Sequence, residues 1–432
     1  MPFEHPIAAT RNIAVIGGGI SGMGAALLLG RDHRVTIFEA GPQLGGHART
    51  VIAGRNRDQP VDTGFIVFNH VNYPHLCAMF DELDVPTAKS DMSFGASFDG
   101  GRLEYSVQSI DALFAQRRNL VNPAFVRMVR NLVHFNNNAL AAADDPSMTV
   151  RDLLAKLGMG DWFRDYYLLP FSGAIWSTPR EQVLDFPAYA MVRFFKNHAL
   201  LGKKGKHQWY TVRGGSQEYV SRVTRALEQQ GTQLRTSTPV QAVRRSVLGV
   251  EVQTANHGWE RFDEVIFATH SDDTLRLLAD PSVTERDALG RIAYQPNTVT
   301  LHRDASIMPK RKRVWSSWSY TEPRGGSQAL DLTYWMNSLQ PIPKDDPMFV
   351  TLNDNGRIRD DLIYDQTTMR HPVYGPGVLE AQDRLREING TNRTWFCGAW
   401  MRNGFHEDGL ASAVEVVEQI QSAGAALRVA AQ

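Results

Sequence analysis

The apolar run Ile13-Ala14-Val15-Ile16 passes straight into Gly17-x-Gly19-x-x-Gly22. A short run of this kind reads as a buried parallel strand. Behind the turn, the small residues Gly24, Ala25 and Ala26 suit a helix lying close to a sheet. A second strand, Val35-Thr36-Ile37-Phe38, ends on Glu39. This order predicts a dinucleotide-binding βαβ unit. Gly17 permits the tight turn, Gly19 lets the backbone approach a pyrophosphate, and Gly22 lets helix and strand pack closely. Ile20 and Ser21 open the helix, whose free N–H groups and positive dipole end face the phosphates. Glu39 stands where a carboxylate accepts ribose hydroxyls and repels a 2′-phosphate, which favours FAD or NAD over NADP. The plain alternative is a glycine-rich structural turn in an α/β protein.

Length, at 432 residues, allows two or three domains. Lys+Arg and Asp+Glu both total 46, so the basic excess of a nucleic-acid-binding protein is missing. Cys77 and Cys397 lie far apart and form no disulfide or zinc pattern, so no metal site and a reducing, cytoplasmic setting are expected. The segment MPFEHPIAATRN lacks the charged and apolar regions of a signal peptide. No apolar run is long enough to span a bilayer. Peripheral contact with the inner face of a membrane stays open.

Nucleotide-domain features come in three pieces, residues 1–75, 206–285 and 386–432. Residues 76–205 read as a helical substrate region and 286–385 as a substrate-domain sheet. Val61 to Phe68 reads as a strand and Tyr73 to Leu83 as a helix. From Val107 to Leu201 the chain turns helical. Asn122-Pro123 predicts an N-cap with an N1 proline, and Thr149 with Asp152 a capped start. Trp162, Phe163, Tyr166, Tyr167, Phe171, Trp176, Phe186, Phe194 and Phe195 form either a helical core or, in part, the wall of an apolar tunnel. Strands follow at Pro239 to Val243 and Glu264 to Thr269, and Val299 to Trp335 is strand-rich. The pentapeptide RGGSQ occurs at Arg213 and Arg324 with unlike flanks, which reads as coincidence. Thr394 to Gly398 is a strand into a glycine, and a helix runs from Gly409 with Leu410, Ala413, Val417 and Ile420 on one face.

Over most of its length the chain resembles the flavin-containing amine oxidase superfamily. The strongest likeness is Glu39-Ala40-x-x-x-x-Gly45-Gly46-x-x-x-Thr50. The resemblance implies that this extension runs alongside a flavin. His47 stands where the family has an arginine, with Arg49 nearby. It also brings Thr63, Gly64 and Phe65, the adenine-contacting strand with Val243, and the return strand with Ala268 to the cofactor. Gly398 and Gly409-Leu410-Ala411-Ser412-Ala413 resemble the second flavin motif, where a helix N-terminus stabilises charge on the reduced ring. The implied fold is α/β: a Rossmann-like FAD-binding domain in discontinuous segments, and an α+β substrate domain with a helical insertion (amine oxidase-like fold). The flavin-linking cysteine motif is absent, so FAD is expected to be non-covalent, with Cys397 packing. Trp400 replaces the usual acidic residue. No lysine occurs in Asn297 to His302, where amine oxidases often carry one; His302 reads as a surface or packing histidine. A closer likeness is to an NAD/FAD-binding subgroup, through Asp62-Thr63-Gly64-Phe65, Trp395 to Trp400 and Gly404 to Gly409. Its members resemble the N-terminal region of plant cyclopropane fatty acid synthases, and bacterial proteins encoded near fatty-acyl methyltransferases. That implies an acyl lipid as substrate.

Desaturation by a flavin needs a hydride route and somewhere for a proton to go. His406 is the first candidate base, with Glu407 and Asp408 next. In the alternative, the acids cap the helix and His406 hydrogen-bonds locally. Tyr364, His371 and Tyr374 are lesser candidates. Met191 to His207 mixes Phe194, Phe195, Leu200 and Leu201 with Lys196, Lys203, Lys204 and Lys206. Together with Lys310 to Arg313 it suits docking on an anionic membrane, or is a solvated loop. Three functions follow: an FAD-dependent oxidoreductase that desaturates, oxidises or isomerises a fatty acyl chain; a flavin amine oxidase; and a non-catalytic lipid-binding protein. The intact Gly17, Gly19, Gly22 and Glu39 argue against the last.

Overall fold

The computed structural model describes residues 10–430, apart from 146, 177–179, 199, 202–206, 326–331 and 376. Lys203, Lys204, Lys206 and most of the second RGGSQ lie outside the described residues.

Among the described residues a parallel five-stranded sheet gathers strands from distant parts of the chain. Its order is Thr394–Phe396, Glu264–Phe267, Asn12–Ile16, Arg34–Phe38 and Gln233–Arg235. Alternate residues serve opposite faces. Ile13, Val15, Ile37 and Ile266 join one buried cluster, and Ala14, Ile16, Phe38, Val265 and Phe267 another. A sheet covered on both sides needs such continuous apolar runs. Helices Ile20–Leu29 and His406–Ala430 pack together on the first face. An antiparallel three-stranded sheet, Val240–Ser246, Gly249–Thr254 and Gly258–Phe262, sits beside it.

A seven-stranded mixed sheet runs Ile363–Val373, Ala293–His302, Phe349–Leu352, Leu332–Trp335, Trp318–Thr321, Phe94–Phe98 and Leu103–Ser106. Helices Pro123–Ala142 and Ala188–Asn197 belong to the insertion that covers it. The insertion's aromatic residues are mainly core: Phe125, Phe135, Phe163, Phe171, Phe186, Phe194 and Phe195 are all buried with Tyr105 and Tyr320 of the sheet.

Two local readings change. The strand expected over Val61 to Phe68 ends at Asp62. Beyond it, Phe65 N–H donates to the His47 carbonyl (2.8 Å) and Phe68 N–H to the Tyr210 carbonyl (2.9 Å), which replaces a regular ladder. Phe94–Phe98 and Leu103–Ser106, unassigned in the sequence, are the last two strands at one end of the large sheet, with Leu103–Ser106 at its edge. No helix among the described residues is long and apolar enough to cross a membrane.

Candidate active site

The glycine turn leaves the centre of the parallel sheet. Its fold is fixed by close approach: a Cβ on Gly22 would lie 1.9 Å from the Gly17 carbonyl oxygen. Helix Ile20–Leu29 begins at Gly19 with no side-chain cap and no acid in its first turn. Its leading N–H groups and positive end are therefore free for an anionic group. Ser21 is buried at this helix start. Glu39 accepts the N–H of Gly18 through Oε2 and of Gly41 through Oε1, both at 2.7 Å. Ala40 beside it is exposed. Thr238 N–H donates to the Glu39 carbonyl (2.9 Å), so the Thr238–Val240 backbone flanks the adenosine end. Val243 is fully buried, and its carbonyl accepts the Ala279 N–H (2.9 Å). Glu39 exchanges backbone hydrogen bonds with Arg235 and Thr238, both at 2.9 Å, ahead of the strand that holds Val243. The Ala268 N–H closes the neighbouring strand onto the Ile16 carbonyl (2.8 Å).

The second glycine loop lies along the first. Gly45 N–H donates to the Gly18 carbonyl (2.8 Å), and a Cβ on Gly46 would stand 3.0 Å from the Gly19 Cα. Past it, Arg49 is committed elsewhere. Nη1 and Nη2 grip Asp365 at 2.7 and 3.0 Å, and Nη1 also reaches Thr63 Oγ1 (3.1 Å). It ties the loop to the large sheet. Asp62 is buried and accepts from Thr50 Oγ1 (2.6 Å), Ser216 N–H (2.7 Å), Ser216 Oγ (2.8 Å) and Gln340 Nε2 (2.9 Å). Burial pushes its carboxyl up to about 6 against those hydrogen bonds. The helix His406–Ala430 brings a second N-terminus to the same place. A Cβ on Gly409 would sit 2.9 Å from Ser21 Oγ, and Gly398 N–H is held by Ser412 Oγ (2.9 Å). Leu410 and Ala413 are buried against the first helix. The acid-free helix start at Ile20, the second helix start at His406 beside it, two apposed glycine loops and the Glu39 carboxylate at the end of the second strand fit FAD.

The three candidate bases differ in their surroundings. Glu407 accepts the N–H groups of His75 and Leu76, both at 2.9 Å, at the start of helix Pro74–Glu82. Asp408 accepts the Phe405 N–H (2.9 Å) ahead of its own helix. Burial raises both carboxyls, Asp408 to about 6. His406 stacks on Phe65 at 4.0 Å and shares a 2.5 Å hydrogen bond with the Tyr219 hydroxyl through Nε2. Desolvation pushes its imidazole down to about 3. His47, His270 and His371 meet in a further group, with ring centroids 5.8 and 5.4 Å from His47. His47 Nε2 lies 3.2 Å from the Arg370 carbonyl, and Asn297 Nδ2 donates to His371 Nδ1 (2.9 Å). Burial holds all three low, His270 and His371 at about 3, so they are neutral hydrogen-bonding groups near neutral pH.

Tyr374 carries a buried hydroxyl with no hydrogen-bond partner among the described residues, and the buried Tyr364 hydroxyl lies near Arg303. Phe405 stacks on Phe194 at 4.8 Å, and Phe194 meets Trp176 at 4.9 Å, so an aromatic wall joins the second helix start to the helical insertion. His302 is an interior residue, bonded to Thr351 Oγ1 (2.8 Å).

The sequence reading missed His270 and Tyr219. His270 follows Glu264–Phe267 at the carboxyl end of a parallel strand, the end where ligands of open α/β sheets bind, and that signal could have found it. Tyr219 sits on the helix opened by the first RGGSQ and carried no local signal. His270, Asp272 and Asp273 lie close enough together to hold a metal ion, but the Arg370 guanidinium pairs with both carboxylates.

The family model described as flavin containing amine oxidoreductase matches residues 20–421. No curated protein sequence matches the chain. Similar solved structures include the CLA-producing fatty acid isomerase from P. acnes, at 15% identity and a TM-score of 0.67, over 95% of this chain and 99% of that one. Cyclohexylamine oxidase from Brevibacterium oxydans IH-35A is 15% identical with a TM-score of 0.67, over 95% and 100%. Wild-type putrescine oxidase bound to putrescine is 14% identical with a TM-score of 0.68, over 96% and 99%. At these identities the likeness concerns the fold.

Proposed function

From the premise that the chain belongs to the flavin-containing amine oxidoreductase family and binds FAD non-covalently, we propose that it oxidises, desaturates or isomerises a long apolar substrate, a fatty acyl chain. The observation that carries this reading is the aromatic wall of Phe405, Phe194 and Trp176 beside the second helix start. Half-buried Phe65 stacks on His406, the residue after Phe405. The acids nearest this wall, Glu407 and Asp408, are held by backbone N–H groups, so a cationic amine meets no unclaimed carboxylate from them. An alkyl chain meets aromatic faces that exclude water.

FAD, when bound, supplies the hydride acceptor. The aromatic wall orients the chain, and the acid-free helix start at Ile20 favours negative charge. His406, neutral and paired with Tyr219, is the group proposed to take the proton lost in desaturation and, held low by burial, to pass it on rather than keep it. Both cysteines are unpaired and buried, which agrees with the cytoplasm as its location.

The test mixes holoenzyme anaerobically with unsaturated fatty acids and, separately, with putrescine and cyclohexylamine. Loss of the visible flavin band, or a shifted double bond, with the fatty acids alone is the expected result. Loss of the flavin band with the amines, followed by peroxide release when air is admitted, and no response to acyl lipids, would overturn the reading in favour of an amine oxidase.

A further inference from the structure

We propose that the face formed by residues 99–130 and 310–313 docks on an anionic lipid surface. Helix Ile110–Leu113, the turn Arg117–Val121, the start of helix Pro123–Ala142 and the turn Lys312–Val314 meet there. Hydrogen bonds knit them together. Arg117 donates to Asp111 Oδ1 (2.6 Å), Gln108 Nε2 to the Arg313 carbonyl (3.4 Å), Lys310 N–H to Glu104 Oε1 (2.7 Å), and Arg118 to the Arg102 carbonyl.

Three aliphatic side chains stand out of this face: Ile110 at 68%, Leu120 at 53% and Val121 at 84% exposure. Cations surround them. The two stretches hold nine Arg and Lys against three acids, in a chain whose totals balance at 46 each. The acids are already engaged: Glu104 by Arg311, Asp111 by Arg117 and Arg313, and Asp99 by Arg102. Arg127 and Arg130 are exposed on the same helix and pair with no acid among the described residues.

Aliphatic tips on a face with six more cations than acids, Arg127 and Arg130 among those without an acid, match a phosphate-bearing interface, which takes the tips into its acyl boundary and the cations at its headgroups. A polyanion without an apolar layer would leave the tips in water. Phe194 and Phe195, expected beside the lysines as part of a membrane-docking segment, are buried in the core. This inference goes beyond the oxidoreductase reading and does not depend on the substrate.

Flotation of the full-length holoenzyme with phosphatidylglycerol vesicles and with phosphatidylcholine vesicles tests it. Binding to the first alone, lost with added salt, is expected. Each Arg→Gln change should weaken partition about fivefold, so R127Q/R130Q loses about 25-fold. L120S/V121S should also weaken it, with the melting temperature unchanged. Equal binding to both vesicles, or wild-type partition by R127Q/R130Q, overturns the proposal. So does self-association in solution that these variants abolish while vesicle binding stays absent, which assigns the face to a second copy. Flavin reduction by a soluble fatty acid, measured on the same variants, should stay at the wild-type level. Its failure in the wild type would count against the substrate reading alone.

Discussion

Glu39 has one oxygen on Gly18 N–H and the other on Gly41 N–H, so its carboxylate is fixed before any ribose arrives. Hydrogen bonds to a charged group contribute about 1.5–3 kcal/mol each. Glu39→Ala should lower FAD affinity by roughly ten- to a hundredfold, read as flavin fluorescence on titrating the apo-protein. Wild-type affinity in this variant would remove Glu39 from the site. Asp62 offers a pH test. Its carboxyl titrates at about 6 in the fold, raised from 3.8 by burial. A raised acid stabilises the fold fully below its unfolded value, and that contribution is lost as pH rises through the folded value. The melting temperature of wild type minus that of Asp62→Asn should therefore fall across pH 4 to 6 and level off above. Residues of the first kind were legible in the sequence because the needs of Gly17, Gly22 and Glu39 are local. Asp62 was not, since its partners Ser216 and Gln340 lie 154 and 278 positions away.

Helix ends were the most readable elements. Asn122 caps Ala124 N–H (3.0 Å) ahead of Pro123, and Thr149 with Asp152 closes a capping box. Both signals lie within four residues of sequence. The strand Phe94–Phe98 gave no such signal. All five positions are buried, so it lacks the polar alternation that marks a half-buried strand. Its parallel register with Trp318–Thr321 is set by tertiary packing. Helix Pro74–Glu82 was legible as Tyr73 to Leu83, but its cap was not, because Glu407, 332 positions from His75, binds its first N–H groups. Removing that acceptor strands two N–H groups beside a buried side chain. Glu407→Ala should cost about 2–4 kcal/mol of stability, seen as a lower urea midpoint. Glu407→Gln, which keeps one acceptor oxygen, should cost less. A stability unchanged in both, with activity abolished, would make Glu407 a catalytic group instead of a cap.

At the scale of the molecule, two modules are woven from one chain that passes between them repeatedly. The recurrence of α/β patterns near Trp209 and Thr394 made the discontinuous nucleotide domain legible. The seam between the modules was not, because it consists of single side chains with remote partners. Arg49 pairs with Asp365, 316 positions away, Asp62 with Gln340, and Arg370 with Asp272 and Asp273. The His47 Nε2 on the Arg370 carbonyl adds to the same line. These contacts set where the large sheet stands relative to the glycine loops, so they bear on cofactor affinity without touching the phosphate turn. The Arg49–Asp365 pair is the cleanest to test. Its side chains are 31% and 23% exposed, so solvent screens part of the attraction, and a coupling of about 1 kcal/mol is expected. Arg49→Ala and Asp365→Ala should each weaken FAD binding several-fold, and the double variant should be little worse than either. If the two losses simply multiply, the pair does not act as one tie, and the sheet is held to the flavin loops by the Asp62 network and Arg370 instead.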